Sequence, residues 1–256
     1  MSLDFSPAPS AAPASARILR HARLESTLLL RNGEQLLLAL VIPAAVMLAG
    51  RFFPARVGVA FDLLVPSVLA LALFSTGFTS VAIATGFDRR YGVLERMAAT
   101  PLGRTGLILG KAIASAVVSL LQVVALMVLA VVLGWRPLID PLGLALAVPT
   151  VLLAQTAFVA LALAMASLLR AEITLALANL VYLALAAGGA LVVPAARYGP
   201  AESVVRLLPT AALGEGLRQG LADVTASGGT LLPLVVAAGW AVVAVLVTRK
   251  VMRWTS

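Results

Sequence analysis

Long runs of apolar residues, separated by short polar stretches, make up most of the chain. A helix needs about 20 predominantly apolar residues to cross the ~30 Å hydrocarbon layer of a bilayer. Six runs come close to that length: 35–53, 62–85, 107–133, 142–168, 173–193 and 230–248. The pattern therefore predicts an all-α, polytopic membrane protein with six transmembrane helices.

Two segments of different character precede the first run. Residues 1–16 are rich in Ala, Ser and Pro, which is typical of a disordered tail. Residues 17–31 separate apolar side chains from arginines on a helical surface, which predicts an amphipathic helix on the inner face of the membrane. The apolar positions are Ile18, Leu19, Ala22, Leu24 and Leu28, and the arginines are Arg17, Arg20, Arg23 and Arg31. His21 is expected at the membrane interface with them, and 17–253 is expected to form a single transmembrane domain.

The densest polar stretch, FDRRYGVLERMAATPLGR (87–104), lies between the second and third runs. Asp88 suits a helix start, because a carboxylate accepts hydrogen bonds from the free amides of the first turn. Thr100 and Pro101 end the helix, since the residue before a proline disfavours helical geometry. The predicted helix covers 88–99 and is about 18 Å long at 1.5 Å per residue. The residues themselves leave two interpretations open, a solvated basic loop and a rigid docking helix for a soluble partner.

The composition indicates a membrane protein in which transmembrane segments account for most of the chain. Hydrophobic residues make up 61% of the chain and charged residues 12%, against roughly 45–50% and about 25% in soluble domains. No separate soluble catalytic domain fits into the remainder. The net charge of +8 would indicate a nucleic-acid partner in a soluble protein, but here it is expected to reflect basic residues kept on the cytoplasmic side. About two thirds of the 19 Lys and Arg fall inside if the N-terminus is inside, which predicts two cytoplasmic termini. The membrane is expected to be the inner membrane of a bacterium.

The apolar runs contain almost no ionisable residues, although ion-coupled carriers usually keep one in that position. Their polar residues are uncharged, and two interpretations of them stay open. They either form hydrogen bonds between helices, at roughly 0.6 kcal/mol per contact, or line a translocation path for an amphiphilic substrate. The candidates are Ser75, Thr76, Thr79, Gln122, Gln155 and Asn179.

The sequence contains few residues that could form a catalytic or a metal-binding site. The chain has no cysteine and one histidine, so it offers no Cys-ligated or multi-His metal site and no Ser/His/Asp arrangement. Three acidic residues of the last outer segment are expected to be solvated loop charges: Glu202, Glu215 and Asp223. Gly106 and Gly110 form a Gly-xxx-Gly pair, which favours close packing of helices.

Three stretches resemble the type-2 permeases of ABC transporters. RRYGVLERMAATPLGRTGLILGK (89–111) is similar to the signature loop of that family, with a glycine, a Glu-Arg pair, Thr-Pro and a later Gly-Lys. RNGEQLLLALVIPAAVML (31–48) and LLPTAALGEGLRQ (207–219) are weaker matches. The resemblance spans roughly residues 17 to 253.

The resemblance implies a permease that pairs with a second copy or a related chain and carries two separate ABC ATPase subunits, which hold ATP and Mg²⁺. By that likeness 17–31 is the connecting helix, 88–99 the coupling helix, Leu169–Glu172 a second contact and 197–224 an extracellular hairpin near the exit gate. The residues implied to couple to the ATPase are Arg89, Arg90, Tyr91, Gly92, Leu94, Glu95, Arg96, Met97, Thr100, Pro101, Arg170 and Glu172.

The sequence therefore predicts the permease half of an ATP-driven exporter, with no catalytic residue, cofactor or metal on this chain. Its expected substrate is a hydrophobic or amphiphilic compound such as a drug, an antibiotic or a lipid, because the runs offer no fixed charge to select an ion. Three alternatives stay open: an ion-coupled secondary transporter, a membrane-embedded lipid-modifying enzyme, and a scaffold that anchors an ATPase.

Overall fold

A computed structural model describes residues 11–31, 33–57, 59–138, 140–222 and 230–251. The first half contains α1 (Ala14–Arg31), α2 (Gly33–Phe52), α3 (Pro54–Val57), α4 (Phe61–Phe74), a π-helical segment (Ser75–Ser80), α5 (Val81–Arg90) and α6 (Val93–Ala98). The second half contains α7 (Gly103–Val132), α8 (Pro141–Leu168), α9 (Ala171–Gly188), a 3₁₀ helix (Ala195–Ala201), α10 (Glu202–Val205), α11 (Pro209–Leu221) and α12 (Leu232–Val251). None of the described residues forms a β-strand, so the predicted all-α class is confirmed.

Five helices in the described part of the chain are long and apolar enough to cross a membrane. They are Phe61–Arg90, Thr105–Val132, Pro141–Leu168, Ala171–Gly188 and Leu232–Val251. These match the second to sixth predicted runs within a few residues, except that the fifth helix ends at Gly188 rather than at 193. The first predicted run falls on α2, whose described apolar part, Ala39–Phe52, is shorter than a span requires.

The helix Phe61–Arg90, built from α4, the π-helical segment and α5, is the centre of the bundle. Of its most apolar window 78% is buried, compared with 17% for α9. A helix that is apolar on all sides is typical of a protein core or of a membrane span. Phe74 anchors the packing, with its ring 4.8 Å from that of Phe158 and 5.8 Å from that of Tyr182.

The region predicted as an outer hairpin over 197–224 contains the helices α10 and α11, and α11 is largely buried. Its main helix, α11, packs between α4, α8 and α12. Gly216 and Gly220 allow this, because a methyl group on either one would crowd Thr150 or Ala147 of α8. The extracellular hairpin over 197–224 stays a prediction, and residues 223 and 224 lie outside the described residues.

The N-terminal helix α1 lies along the beginning of α7. It starts at Ala14, so the predicted tail is too long at its C-terminal end; residues 1–10 of that tail lie outside the described ones. Gly110 of α7 faces the His21 ring so closely that a methyl group there would overlap it. His21 is only 5% exposed, so its side chain is buried between α1 and α7. The close helix packing predicted for Gly106 and Gly110 is confirmed.

Gly110→Ala is expected to destabilise the protein, because the added methyl group overpacks the contact between α1 and α7. Overpacking of a tight contact typically lowers stability by about 1–3 kcal/mol. Gly239→Ala is the matched control, since α12 has nothing within 4 Å of a methyl group at that position. Thermal unfolding in detergent should show a lower midpoint for Gly110→Ala only. Equal midpoints for the two variants would contradict the packing described here.

Candidate functional site

The polar stretch between the central helix and α7 forms a turn and a short helix rather than one rod. Helix α5 continues through Asp88 and ends at Arg90, and Gly92 then adopts a left-handed conformation with φ of 65°. A glycine in this conformation commonly ends a helix, because it has no side chain to oppose it. The helix predicted over 88–99 is therefore wrong in its bounds, and only Val93–Ala98 forms a separate helix.

A cleft of about 750 Å³ opens beside this turn, at the end of the bundle that holds α1 and α6, here called the α1 end. One wall belongs to the α5–α6 turn and the other to the junction of α8 and α9. Its lining residues include Arg89, Arg90, Gly92, Glu95, Arg170 and Glu172, six of the residues implied by the resemblance. Residues far apart in the chain thus form one surface.

Two arginines connect the walls of the cleft. Arg89 donates from Nη1 to the carbonyl oxygen of Ser167, at 2.6 Å, near the end of α8. Arg90 forms an ion pair with Glu172 of α9. Exposed ion pairs contribute little to stability, but these two contacts set the position of the α5–α6 turn relative to the α8–α9 junction.

The remaining implied coupling residues divide between a small core and the surface. Leu94 is 1% exposed and packs with Leu107 of α7, with Met97 against the same cluster. Tyr91 is 65% exposed and stacks on Phe87 with ring centres 6.1 Å apart.

Three further contacts of this region involve backbone carbonyls. Arg96 donates to the carbonyl of Tyr91 at 3.4 Å, and Thr100 donates to that of Met97 at 2.7 Å. The carbonyl of Pro101 accepts from Arg17, which joins this region to α1.

A buried cluster of charged side chains joins α1, α5 and α7 near the α1 end. Lys111 of α7 is 4% exposed, and its Nζ lies 2.9 Å from each carboxylate oxygen of Glu25 on α1 and 2.8 Å from Asp88 on α5. Asp88 therefore binds a lysine and does not begin a helix. A lysine within an apolar helix is a signal for such a partner, but the sequence does not show which carboxylates supply it.

His21 lies beside this cluster, 3.6 Å from Glu25. Burial lowers the pKa of His21 below its usual 6.5, and the nearby Lys111 lowers it further, whereas Glu25 and Asp88 oppose the shift. The imidazole is therefore held in its neutral form in the folded protein.

The polar candidates of the bundle interior fall into two groups. Thr76 donates to Gln122 Oε1 at 2.7 Å, and Gln122 Nε2 donates to the carbonyl of Ala39 at 2.6 Å. Gln155 Nε2 donates to Ser119 Oγ at 2.8 Å. These bonds join α2, the π-helical segment, α7 and α8 around the middle of the bundle, as the helix-to-helix interpretation expects.

Three of the candidates make no such bridge. Thr79 is buried, and its hydroxyl has no hydrogen-bond partner among the described residues. Ser75 is half-buried. Asn179 is exposed on α9 and donates only to the carbonyl of Leu175 in its own helix, so it lies apart from the others.

A second buried charge, Arg218 of α11, was not singled out by sequence analysis. It is 1% exposed, and its guanidinium donates to the carbonyls of Ala190 and Leu191 at 2.8 and 2.9 Å and to Ser67 Oγ at 3.0 Å. Glu215 lies 3.2 Å away. The spacing of Glu215 and Arg218 suits one helical face, which is the signal that sequence analysis could have used.

The comparison with protein families agrees with this arrangement. A family model described as ABC-2 family transporter protein matches residues 12–249. The chain belongs to the ABC-2 family. This confirms the resemblance to ABC permeases and identifies a membrane transport subunit, a type of chain that works with an ABC ATPase. No curated protein shows significant similarity to the chain.

The lowered pKa of His21 predicts that acid destabilises this ABC-2 chain. Below pH 6.5 the unfolded histidine binds a proton that the folded one resists, so stability falls as the pH drops through that value. His21→Gln removes this contribution. The decrease in unfolding midpoint from pH 7.5 to 5.5 should be smaller in His21→Gln than in the wild type. Identical decreases would show that His21 is not held neutral.

Proposed function

We propose that the chain is the permease half of an ATP-driven exporter, with ATP and Mg²⁺ held by separate subunits. It moves a hydrophobic or amphiphilic compound, such as a drug, an antibiotic or a lipid, outward across the bacterial cytoplasmic membrane. The observation that carries the proposal is the cleft at the α1 end, where the α5–α6 turn meets the α8–α9 junction. An ATPase subunit that binds there contacts the ends of three helices at once.

The contacts around the cleft explain how an ATPase could move the bundle. Arg89 and Arg90 tie the α5–α6 turn to α8 and α9, and the cluster around Lys111 ties α5 to α1 and α7. A shift of the turn is therefore passed to several helices together. A floppy loop would absorb the same shift without transmitting it.

The exposed amide of Asn179 supports pairing with a second permease, either another copy or a related chain. It lies near the middle of α9, whose surface carries Ile173, Leu175, Leu180 and Leu183. An amide in contact with lipid lacks partners, whereas polar side chains between membrane helices hydrogen-bond across the interface. The face of α9 that carries Asn179 is accordingly proposed to meet the second permease.

The charges of the bundle favour an uncharged or amphiphilic cargo over an ion. Lys111 is paired with two carboxylates near the α1 end, and Arg218 is bound by carbonyls, Ser67 and Glu215. Lys111 and Arg218 are therefore both occupied by protein partners and do not offer a binding site to an ion that crosses the bundle. Between them the described residues of the interior contribute only neutral polar groups, which suits a cargo that is itself largely apolar.

Glu95→Gln is expected to abolish ATP-driven export, because it changes the charge of a cleft wall that the ATPase is proposed to contact. The measurement is nucleotide-dependent efflux of an uncharged fluorescent amphiphile from vesicles that contain the permease with its co-purifying ATPase. We expect a decrease of at least tenfold with normal membrane insertion. Glu202→Gln, at the other end of the bundle, is the control and should leave efflux unchanged.

Other results of the same assay would contradict the proposal. Unchanged efflux in Glu95→Gln would remove the cleft from the mechanism. Efflux driven by an ion gradient without nucleotide would instead support the secondary transporter.

A further inference from the structure

A long cavity of about 450 Å³ lies between α7, α8 and α11. Its lining runs from Ala112 to Met127 on α7 and from Leu144 to Val159 on α8, and each stretch rises about 22 Å at 1.5 Å per residue. A cavity of this length accommodates an extended aliphatic chain.

The lining is apolar and has a single polar patch. Among the described residues around the cavity there is no charged or aromatic side chain, and the polar ones are Ser119, Gln155 and Thr156. Thr156 is already bonded to the carbonyl of Leu152 in its own helix. Ser119 and Gln155 therefore supply the polar chemistry that the cavity can offer to a ligand.

The Ser119–Gln155 pair is buried and incompletely satisfied. Ser119 Oγ accepts a hydrogen bond from Gln155 Nε2, so the Ser119 hydroxyl can still donate its own hydrogen. Gln155 is 7% exposed, and its Oε1 has no hydrogen-bond partner in the described part of the chain. A buried polar atom without a partner is unfavourable by about 1–3 kcal/mol. Gln155 Oε1 lies against Gly77 of the π-helical segment, which does not line the cavity. A ligand that brings a hydroxyl or ester oxygen to this pair would therefore use the free donor of Ser119.

The cavity is accessible from the outer surface of the bundle. Leu120 of α7 and Val148 and Leu152 of α8 line it, and each is more than half exposed. In a membrane this surface faces the hydrocarbon, so a chain can reach the cavity sideways from the bilayer without crossing water.

We propose that this cavity binds the aliphatic chain of an uncharged amphiphile, with a hydroxyl or ester oxygen placed at the Ser119 hydroxyl. The pair lies near the middle of the cavity, where a polar group in lipid would have no partner. This inference deepens and rests on the proposed export function, because it defines the cargo as an aliphatic amphiphile that arrives from the bilayer.

The test uses the full chain in phosphatidylcholine nanodiscs, without ATP or ATPase. Two photoreactive probes carry a diazirine on an aliphatic chain, one a long-chain alcohol and the other a phosphatidylcholine, and adducts are located by mass spectrometry. Ala116→Phe fills the cavity from its exposed wall on α7. Ala125→Phe adds the same ring to an exposed site of α7 that does not line the cavity.

We expect adducts on the facing sides of α7 and α8 that decrease at least fivefold in Ala116→Phe and stay unchanged in Ala125→Phe. Unfolding midpoints verify that both variants fold, and Ala116→Leu should give a smaller decrease if the phenylalanine is not tolerated. If the alcohol probe labels the cavity and excess phosphatidylcholine does not displace it, the bound aliphatic chain belongs to a cargo. If only the phospholipid probe labels the cavity, the bound chain belongs to membrane lipid. That result would confirm a binding site but contradict its role for cargo.

Three results would overturn the binding site itself: equal labelling in the two phenylalanine variants, no cavity adduct with either probe, or displacement by a flat polycyclic aromatic but not by an unlabelled alcohol. The outcome is separable from that of the proposed function. Labelling that persists in a chain without ATP-driven export would contradict only the exporter. Export that persists without labelling would contradict only the cavity.

Discussion

The ion cluster of Lys111 with Glu25 and Asp88 is the constraint on which the arrangement of the α1 end depends. Removal of an ammonium group from water is unfavourable by several kcal/mol, and only good geometry with more than one partner offsets it. Lys111 is 4% exposed and has two carboxylates within 2.9 Å, so α1 and α5 must both be in place for it to be buried. The close contact of His21 with Gly110 lies beside the cluster and depends on the same docking of α1.

The middle of the bundle is less regular than the α1 end in both helix geometry and hydrogen bonding. The central helix passes through a π-helical segment at Ser75–Ser80, and such segments often mark functional positions. Nearby, Gln155 Oε1 and the Thr79 hydroxyl are buried without partners in the described residues. A rigid end joined to a middle with unsatisfied polar groups suits a transporter, because motion delivered at the end can change which hydrogen bonds form in the middle.

Long-range hydrophobic patterning predicted much of the fold, and local patterns failed where a distant partner decides the structure. The apolar runs matched the described spans because length and hydropathy alone determine whether a helix suits a bilayer. The rod over 88–99 was wrong because Gly92, in a left-handed conformation, ends α5 between the predicted start at Asp88 and the predicted end at Pro101. The spacing of Glu215 and Arg218 indicates only that the two side chains share one helical face, because the burial of Arg218 also needs the carbonyls after α9. The pairing of Arg90 with Glu172 likewise depends on the fold.

The most direct test of the account measures whether Lys111 fixes α1 relative to α5. The chain contains no cysteine, so spin labels can be attached at Thr27→Cys on α1 and Tyr91→Cys beyond α5, both exposed in the structure. Double electron–electron resonance should give one narrow distance distribution in the otherwise unchanged protein and in the control Lys250→Met, and a broad one in Lys111→Met. An equally narrow distribution in Lys111→Met would contradict the account, because the two helices would then hold their positions without the buried charge.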